Sequence, residues 1–150
     1  MNKNTIFRED LSGYFILGQT FIEVIDRETD NVLVSKPFKS DFRYENKTYT
    51  ISSETLNEIK SLINHSEFLF HKLELEKTEF IVLDGTDYTF YFRSDKKKAE
   101  IQADNLYTLY GNASPESNAG KLIGVVDKIE TLLVNNGIDL DGIIDSEEDE

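Results

Sequence analysis

From Tyr88 to Ala103 the apolar side chains recur every second residue, and no other feature of the chain restricts its fold so strongly. Tyr88, Phe90 and Phe92 alternate with Asp87, Thr89, Tyr91 and Arg93. Ala99, Ile101 and Ala103 alternate in the same way with Glu100, Gln102 and Asp104. A helix repeats its buried stripe every three or four residues, so this spacing suits only strands with one dry face and one wet face. The polar, basic stretch from Ser94 to Lys98 reads as the turn between them. Asp84-Gly85 reads as a second tight turn, because Gly accepts positive φ. Phe80, Ile81, Val82 and Leu83 before it are apolar on both faces, as in a central strand. Further upstream Leu69, His71, Leu73 and Leu75 share one face, with Phe68 and Phe70 on the other. All of 66–103 is therefore expected to form the middle of an antiparallel sheet.

The flanks supply more strands and two helices. Residues 1–12 are polar and are expected to be loosely held. Tyr14 to Ile25 is β-branched and aromatic and reads as a strand, with Gly18 marking a bulge or a close contact. A polar turn over Asp26 to Asn31 leads to a short strand at Val32, Leu33 and Val34, which Pro37 ends. Phe38 to Tyr44 and Lys47 to Ile51 suggest a hairpin around Glu45-Asn46. Ser52 or Ser53 caps a helix whose stripe is Leu56, Ile59, Leu62 and Ile63, with Glu54 in its first turn. After an ambiguous stretch from Asp104 to Asn112, Ser114-Pro115 opens a second helix. Its stripe is Leu122, Val125, Val126, Ile129, Leu132 and Leu133, and Asn136-Gly137 ends it. Gly120 and Gly124 would let it approach the sheet closely. The expected class is α+β: a mostly antiparallel β-sheet packed by two helices, with 1–136 as a single domain and 137–150 as an acidic C-terminal tail.

Composition narrows the function. The 150 residues include 16 basic and 29 acidic ones, a net charge of −13, so a polyphosphate partner is disfavoured and a basic protein partner favoured. Lys96, Lys97 and Lys98 form the only basic run, and a hairpin tip explains them. The chain has no cysteine, which excludes a disulfide framework, a thiolate nucleophile and a Cys-based zinc site. The first residues lack an apolar signal core, and no apolar run has the roughly 18 residues of a membrane span. A cytoplasmic protein with no membrane partner is the expectation.

Catalytic constellations are sparse. There is no G-x-S-x-G elbow and no phosphate-cradling Gly motif. Asp84 with Asp87 could be paired carboxylates, but a hairpin explains them better. His65 at a helix end and His71 on an apolar face lack further convergent ligands beyond Glu67, so hydrogen-bonded structural histidines are expected. No enzyme and no resident cofactor are expected. The tail GIDLDGIIDSEEDE carries Asp139, Asp141, Asp145, Glu147, Glu148, Asp149 and Glu150 and no base. Placed in an EF-hand register from Gly137, Asp139 and Asp141 take the third and fifth positions. Gly142 takes the sixth, Asp145 the ninth and Glu148 the twelfth. The stretch also resembles thrombospondin-type calcium repeats. It departs from the EF-hand in having Gly137 where the first carboxylate belongs and no exiting helix. Calcium at Asp139, Asp141, Asp145 and Glu148 therefore stands beside the simpler reading of a solvated acidic tail.

The wet sheet face is the more suggestive surface. Asp87, Thr89, Tyr91 and Arg93, with Glu100 and Gln102 across the turn, would form a mixed acidic and aromatic patch. Tyr and Arg serve as interface anchors, and carboxylates around them steer a cationic partner. An ordinary solvated sheet face has the same composition. With its strand series 79–93 (EFIVLDGTDYTFYFR), closing helix 117–136 and acidic surplus, the chain resembles immunity proteins of bacterial polymorphic-toxin and contact-dependent inhibition systems. That resemblance implies a stoichiometric inhibitor with one tight partner, often a toxin or nuclease domain whose basic cleft an acidic surface occludes. The alternatives are a calcium-responsive or acidic-tail adaptor, and a soluble structural domain.

Overall fold

A computed structural model describes residues 1–13, 16–37, 44–79 and 85–144. Its six strands are β1 (Thr5–Gly13), β2 (Ile16–Ile25), β3 (Val32–Pro37), β4 (Tyr44–Tyr49), β5 (Thr86–Ser94) and β6 (Lys97–Asp104). They form one sheet in the order β4-β3-β2-β1-β5-β6, and each neighbouring pair is antiparallel. With α1 (Ser53–Asn64), the short α2 (Leu106–Tyr110) and α3 (Asn118–Asn135), the architecture is the expected α+β class.

The inner strand between the two halves of the sheet is the segment expected to be loose. β1 pairs with β2 along one edge and with β5 along the other. Ile6, Phe7, Glu9 and Leu11 are all buried. Phe7, Glu9 and Leu11 face the helices, and Phe7 sits opposite both Val24 and Phe92 in the register. The Phe7 and Phe92 rings lie 5.5 Å apart. An acidic residue at the middle inward position breaks the apolar alternation, which is why this strand reads as polar.

Ile22 and Val24 of β2, Val32 and Val34 of β3, Phe90 and Phe92 of β5, and Ile101 and Ala103 of β6 extend the same dry face. Leu56, Ile59 and Ile63 of α1 and Leu122, Val125, Val126, Ile129 and Leu133 of α3 close over it. Each such side chain taken out of water contributes roughly 1.5–3 kcal/mol. The hydroxyl of Ser52 accepts from the Thr55 amide (3.2 Å) and that of Ser117 from the Gly120 amide (3.0 Å), capping the two long helices. Thr55 also donates to the Asn136 side chain (3.0 Å), which ties the start of α1 to the end of α3.

Other segments differ from expectation. Residues 66–75 form no strand: Glu67–Phe70 is a 3-10 turn, and Lys72 takes a left-handed φ of 52° that interrupts any extended run. The segment serves α3 instead. The Glu76 carboxylate accepts from the Asn118 (2.9 Å) and Ala119 (3.0 Å) amides, so its charge sits on the donors of a helix start. The hairpin expected around Glu45-Asn46 is absent, because β4 runs straight through it; Phe38 to Arg43 lie outside the described residues. So do Phe80 to Asp84, and with them the expected central strand and half of its turn. The turn before β6 is narrower than Ser94 to Lys98, since β6 begins at Lys97 and Asp95 supplies the positive φ of 51°. α3 begins three residues after Pro115, with Ser117 as its cap. Gly120 packs on the preceding turn and not on the sheet: a Cβ there would stand 1.9 Å from the Ser114 carbonyl oxygen. Gly124 faces open space. No described helix is long and apolar enough to cross a membrane.

Candidate functional site

The sheet has two faces, and the expected partner-binding residues lie on the one that α1 and α3 leave open. Tyr91 stands opposite Glu100 on one side and Arg8 on the other. Thr89 stands opposite Gln102 and Asp10, and Asp87 opposite Asp104 and Ser12. Asp87, Thr89, Tyr91 and Arg93 are half-buried, while Glu100 and Gln102 are exposed. The six therefore form one contiguous patch across β5 and β6. Arg93 is pinned, its Nε donating to the Thr5 carbonyl at 3.0 Å.

Beside that patch lies a cation–carboxylate network that sequence reasoning missed. The Arg8 guanidinium stacks 4.0 Å from the centre of the Phe21 ring and pairs with Asp10 (2.9 Å) and Glu23 (2.6 Å). Glu23 also accepts from the Thr5 hydroxyl and the Asn2 amide. Burial pushes the Glu23 carboxyl up, but these donors and the guanidinium outweigh it and hold it below the usual range. The acid is buried, and it is satisfied.

The covered face carries the opposite arrangement. Glu9 has no exposed surface, and neither of its carboxyl oxygens has a directed hydrogen-bond partner. Glu130 of α3 is 6 % exposed, and its Oε2 is buried without a partner. The two carboxyls face one another closely enough to share a proton. Burial drives Glu9 far above its ordinary range, and the charges of Glu130, Asp127 and Asp10 push the same way. Glu130 is pushed up to about 7, again mainly by burial and then by Asp127, while the proton of Glu9 opposes the rise. The two titrate as a pair whose range is raised toward neutral pH.

Glu130 stands at the wall of a groove of about 560 Å³. Tyr88, Tyr107, Asp127, Glu130, Ile143 and Ile144 line it. The tyrosine rings meet edge to face at 5.4 Å, and the Tyr107 hydroxyl makes a long bond of 3.4 Å to Asp127. Burial beside Glu130, Glu9 and Asp127 raises Tyr107, so its hydroxyl stays protonated. Burial also raises Asp127, against the hydrogen bond from Tyr107. A more open groove between α1 and α3 adjoins this one and shares Asp127 and Thr131 with it. Among the described residues no group of three acids or histidines converges as a metal site. The arrangement can hold a proton, or it can receive a cation against acidic and aromatic walls.

The first half of the expected acidic tail is part of the domain. Ile138, Leu140 and Ile143 are buried in the core, and Ile143 and Ile144 close one side of the groove. Asp139 pairs with the buried ammonium of Lys36 at 2.8 Å, which holds the carboxyl below its usual range, and it accepts from the Asp141 amide at 3.0 Å. A solvated tail beginning at 137 is therefore corrected for 138–144. Of the four calcium candidates, Asp139 is engaged by Lys36, while Asp145 and Glu148 lie outside the described residues. His65 ends α1 with Nδ1 on the Ser61 carbonyl at 2.7 Å, a structural histidine. His71 is exposed and not on the core face. One signal pointed to the missed pair. Glu9 sits at an inward position of a strand and Glu130 beside the apolar stripe of a helix, two breaks of one local rule with the same sign of charge.

No protein-family model matches the chain, and no curated protein matches it.

Proposed function

We propose that the chain is an acidic protein-binding module, of the stoichiometric inhibitor kind, that occludes a basic partner such as a toxin or nuclease domain. The observation that carries this reading is the contiguous open patch of Asp87, Thr89, Tyr91, Arg93, Glu100 and Gln102, joined by register to Arg8 and Asp10. A rigid sheet presents these side chains in fixed order, with an aromatic anchor at the centre and carboxylates beside it. The net charge of −13 favours fast encounter with a cationic surface, and a seated Tyr91 slows release. Nothing in the reading requires turnover by the chain itself.

The test is a titration against the product of the neighbouring reading frame. A one-to-one complex is expected, weakened at least tenfold by Tyr91→Ala and by Glu100→Lys, with inhibition of whatever activity the partner has. A neighbouring product that binds with the same affinity to wild type and to both variants would remove the patch as the interface. Hydrolytic turnover by the isolated chain would remove the inhibitor reading altogether.

A further inference from the structure

The groove between β5, α2, α3 and the segment 138–144 goes beyond that reading, because it is a concave site and the proposed interface is a flat one on the other face. One buried carboxyl lines it with an acceptor position unfilled, Oε2 of Glu130, and the fully buried Glu9 neighbours that carboxyl without lining the groove. A buried acceptor left without a donor costs about 1–3 kcal/mol, and Leu at either position would avoid that cost. What the site lacks is a donor. The proton shared with Glu9 is the one donor the pair itself holds, and Oε2 of Glu130 is left for a donor from the groove.

Three features select its chemistry. The wall is acidic, with Glu130 and Asp127 facing the opening. It is also aromatic, through Tyr88 and Tyr107, and it is closed on one side by Ile143 and Ile144. A hard metal ion wants several converging oxygens, and among the described residues no such trio exists. A guanidinium fits better: it is planar, carries five donors, rests on aromatic rings and loses less hydration than an ammonium on entering an apolar-walled groove. A volume of about 560 Å³ accommodates an arginine-sized side chain or a small molecule bearing the same group. The chain also continues from Ile144 directly into Asp145, Ser146, Glu147, Glu148, Asp149 and Glu150, so the next residues in sequence carry charge of the complementary sign.

We propose that this groove is a binding site for a guanidinium cation, held on the carboxylates of Glu130 and Asp127 and against the ring of Tyr107. The cation stabilises the ionised pair, so binding near neutral pH expels a proton from between Glu9 and Glu130. The titratable groups facing Glu130 are Glu9 from β1, Tyr88 from β5, Tyr107 from α2 and Asp127 from its own helix. Burial keeps the Tyr107 hydroxyl protonated, so the carboxyls around Glu130 are the groups that release a proton there.

The experiment is calorimetric titration of the full chain with methylguanidinium, with N-acetyl-arginine amide and with N-acetyl-lysine amide, at pH 7 in two buffers of different ionisation enthalpy. Saturable binding of both guanidinium probes is expected, at least tenfold tighter than that of the lysine probe, with net proton release. The arginine amide binding tighter than methylguanidinium identifies the source as an arginine side chain of a polypeptide. Equal affinity identifies a free small molecule. Glu130→Gln should weaken either probe at least tenfold, and Asp127→Asn, at an exposed position, several-fold. Absence of saturable guanidinium binding overturns the proposal, as does binding that the lysine probe matches or that Asp127→Asn leaves unchanged. Failure of partner capture through the open face leaves this result standing, because the two sites share no residue.

Discussion

Glu9 and Glu23 belong to adjacent strands and are both almost wholly buried, yet they end on opposite sides of their ordinary titration range. Glu23, on the open face, has a guanidinium at 2.6 Å, a hydroxyl and a backbone amide as donors. Glu9, on the covered face, has another carboxyl for a neighbour and no cation or amide donor. Burial pushes both acids up, Glu9 more fully, so the sign of the net shift is not set by burial alone. The partners decide it. A buried acid with its donors in place is part of the scaffold, and one without them is kept for something the scaffold does not contain.

The comparison breaks most sharply if Glu23 is made to resemble Glu9. Arg8→Met removes the cation and leaves a buried charge, which should cost about 3–5 kcal/mol in urea unfolding at pH 7. A loss under about 1 kcal/mol would mean that pairing is not what distinguishes the two acids. The pH dependence of stability separates them next, because their signs are opposite. Glu130 has a folded value near 7, above its unfolded one, so the folded state binds the extra proton and stability falls as pH rises from about 4.5 through 7. Its share is on the order of 3 kcal/mol. Glu23 is held low when folded, so its contribution is present above about 4.5 and is lost only as pH falls below that. Urea midpoints at pH 5.5 and 8 should therefore be higher at 5.5, and Glu9→Gln should shrink the difference. A midpoint that rises between those values would contradict the raised carboxyl pair.

Smaller changes sharpen the picture. Thr5→Val deletes one donor to Glu23 while keeping the side-chain shape, and should cost about 1.5 kcal/mol with a rise of the Glu23 titration by NMR. An unchanged titration would assign Glu23 wholly to Arg8. At the exposed rim of the open face, Gln102→Lys should alter stability by less than about 0.5 kcal/mol while slowing association with a basic partner in stopped-flow mixing. A loss of more than 1 kcal/mol there would show that the rim is structural.

β5 and β6 were legible because their alternation is unbroken, and the same alternation told which side chains share the open face. β1 was not, since an acid occupies the position where Ile or Val would have continued the pattern of Phe7 and Leu11. The stretch 66–75 misled in the other direction: Leu69, His71, Leu73 and Leu75 alternate, but the chain is spent on capping α3 through Glu76. Capping is a tertiary demand and leaves no period to read. The groove was hidden for the same reason, as its walls come from β5, α2, α3 and 138–144, which no local window spans. The tail was read from its charge, although Ile138, Leu140 and Ile143 alternate with Asp139, Asp141 and Gly142 closely enough to have suggested a buried edge.

The placement of Ile138, Leu140 and Ile143 in the core has a consequence for how the molecule is made. Translation delivers β1 first, but the strand on its second edge appears only after Thr86, and the last hydrophobic contacts only after Ile143. While the ribosome is still at work, the nascent chain holds an inner strand with one edge bare and an acid that has not yet met its neighbour. The β1–β4 side can pair in the order of synthesis, whereas the core layer closes only when Ile138, Leu140 and Ile143 are in place.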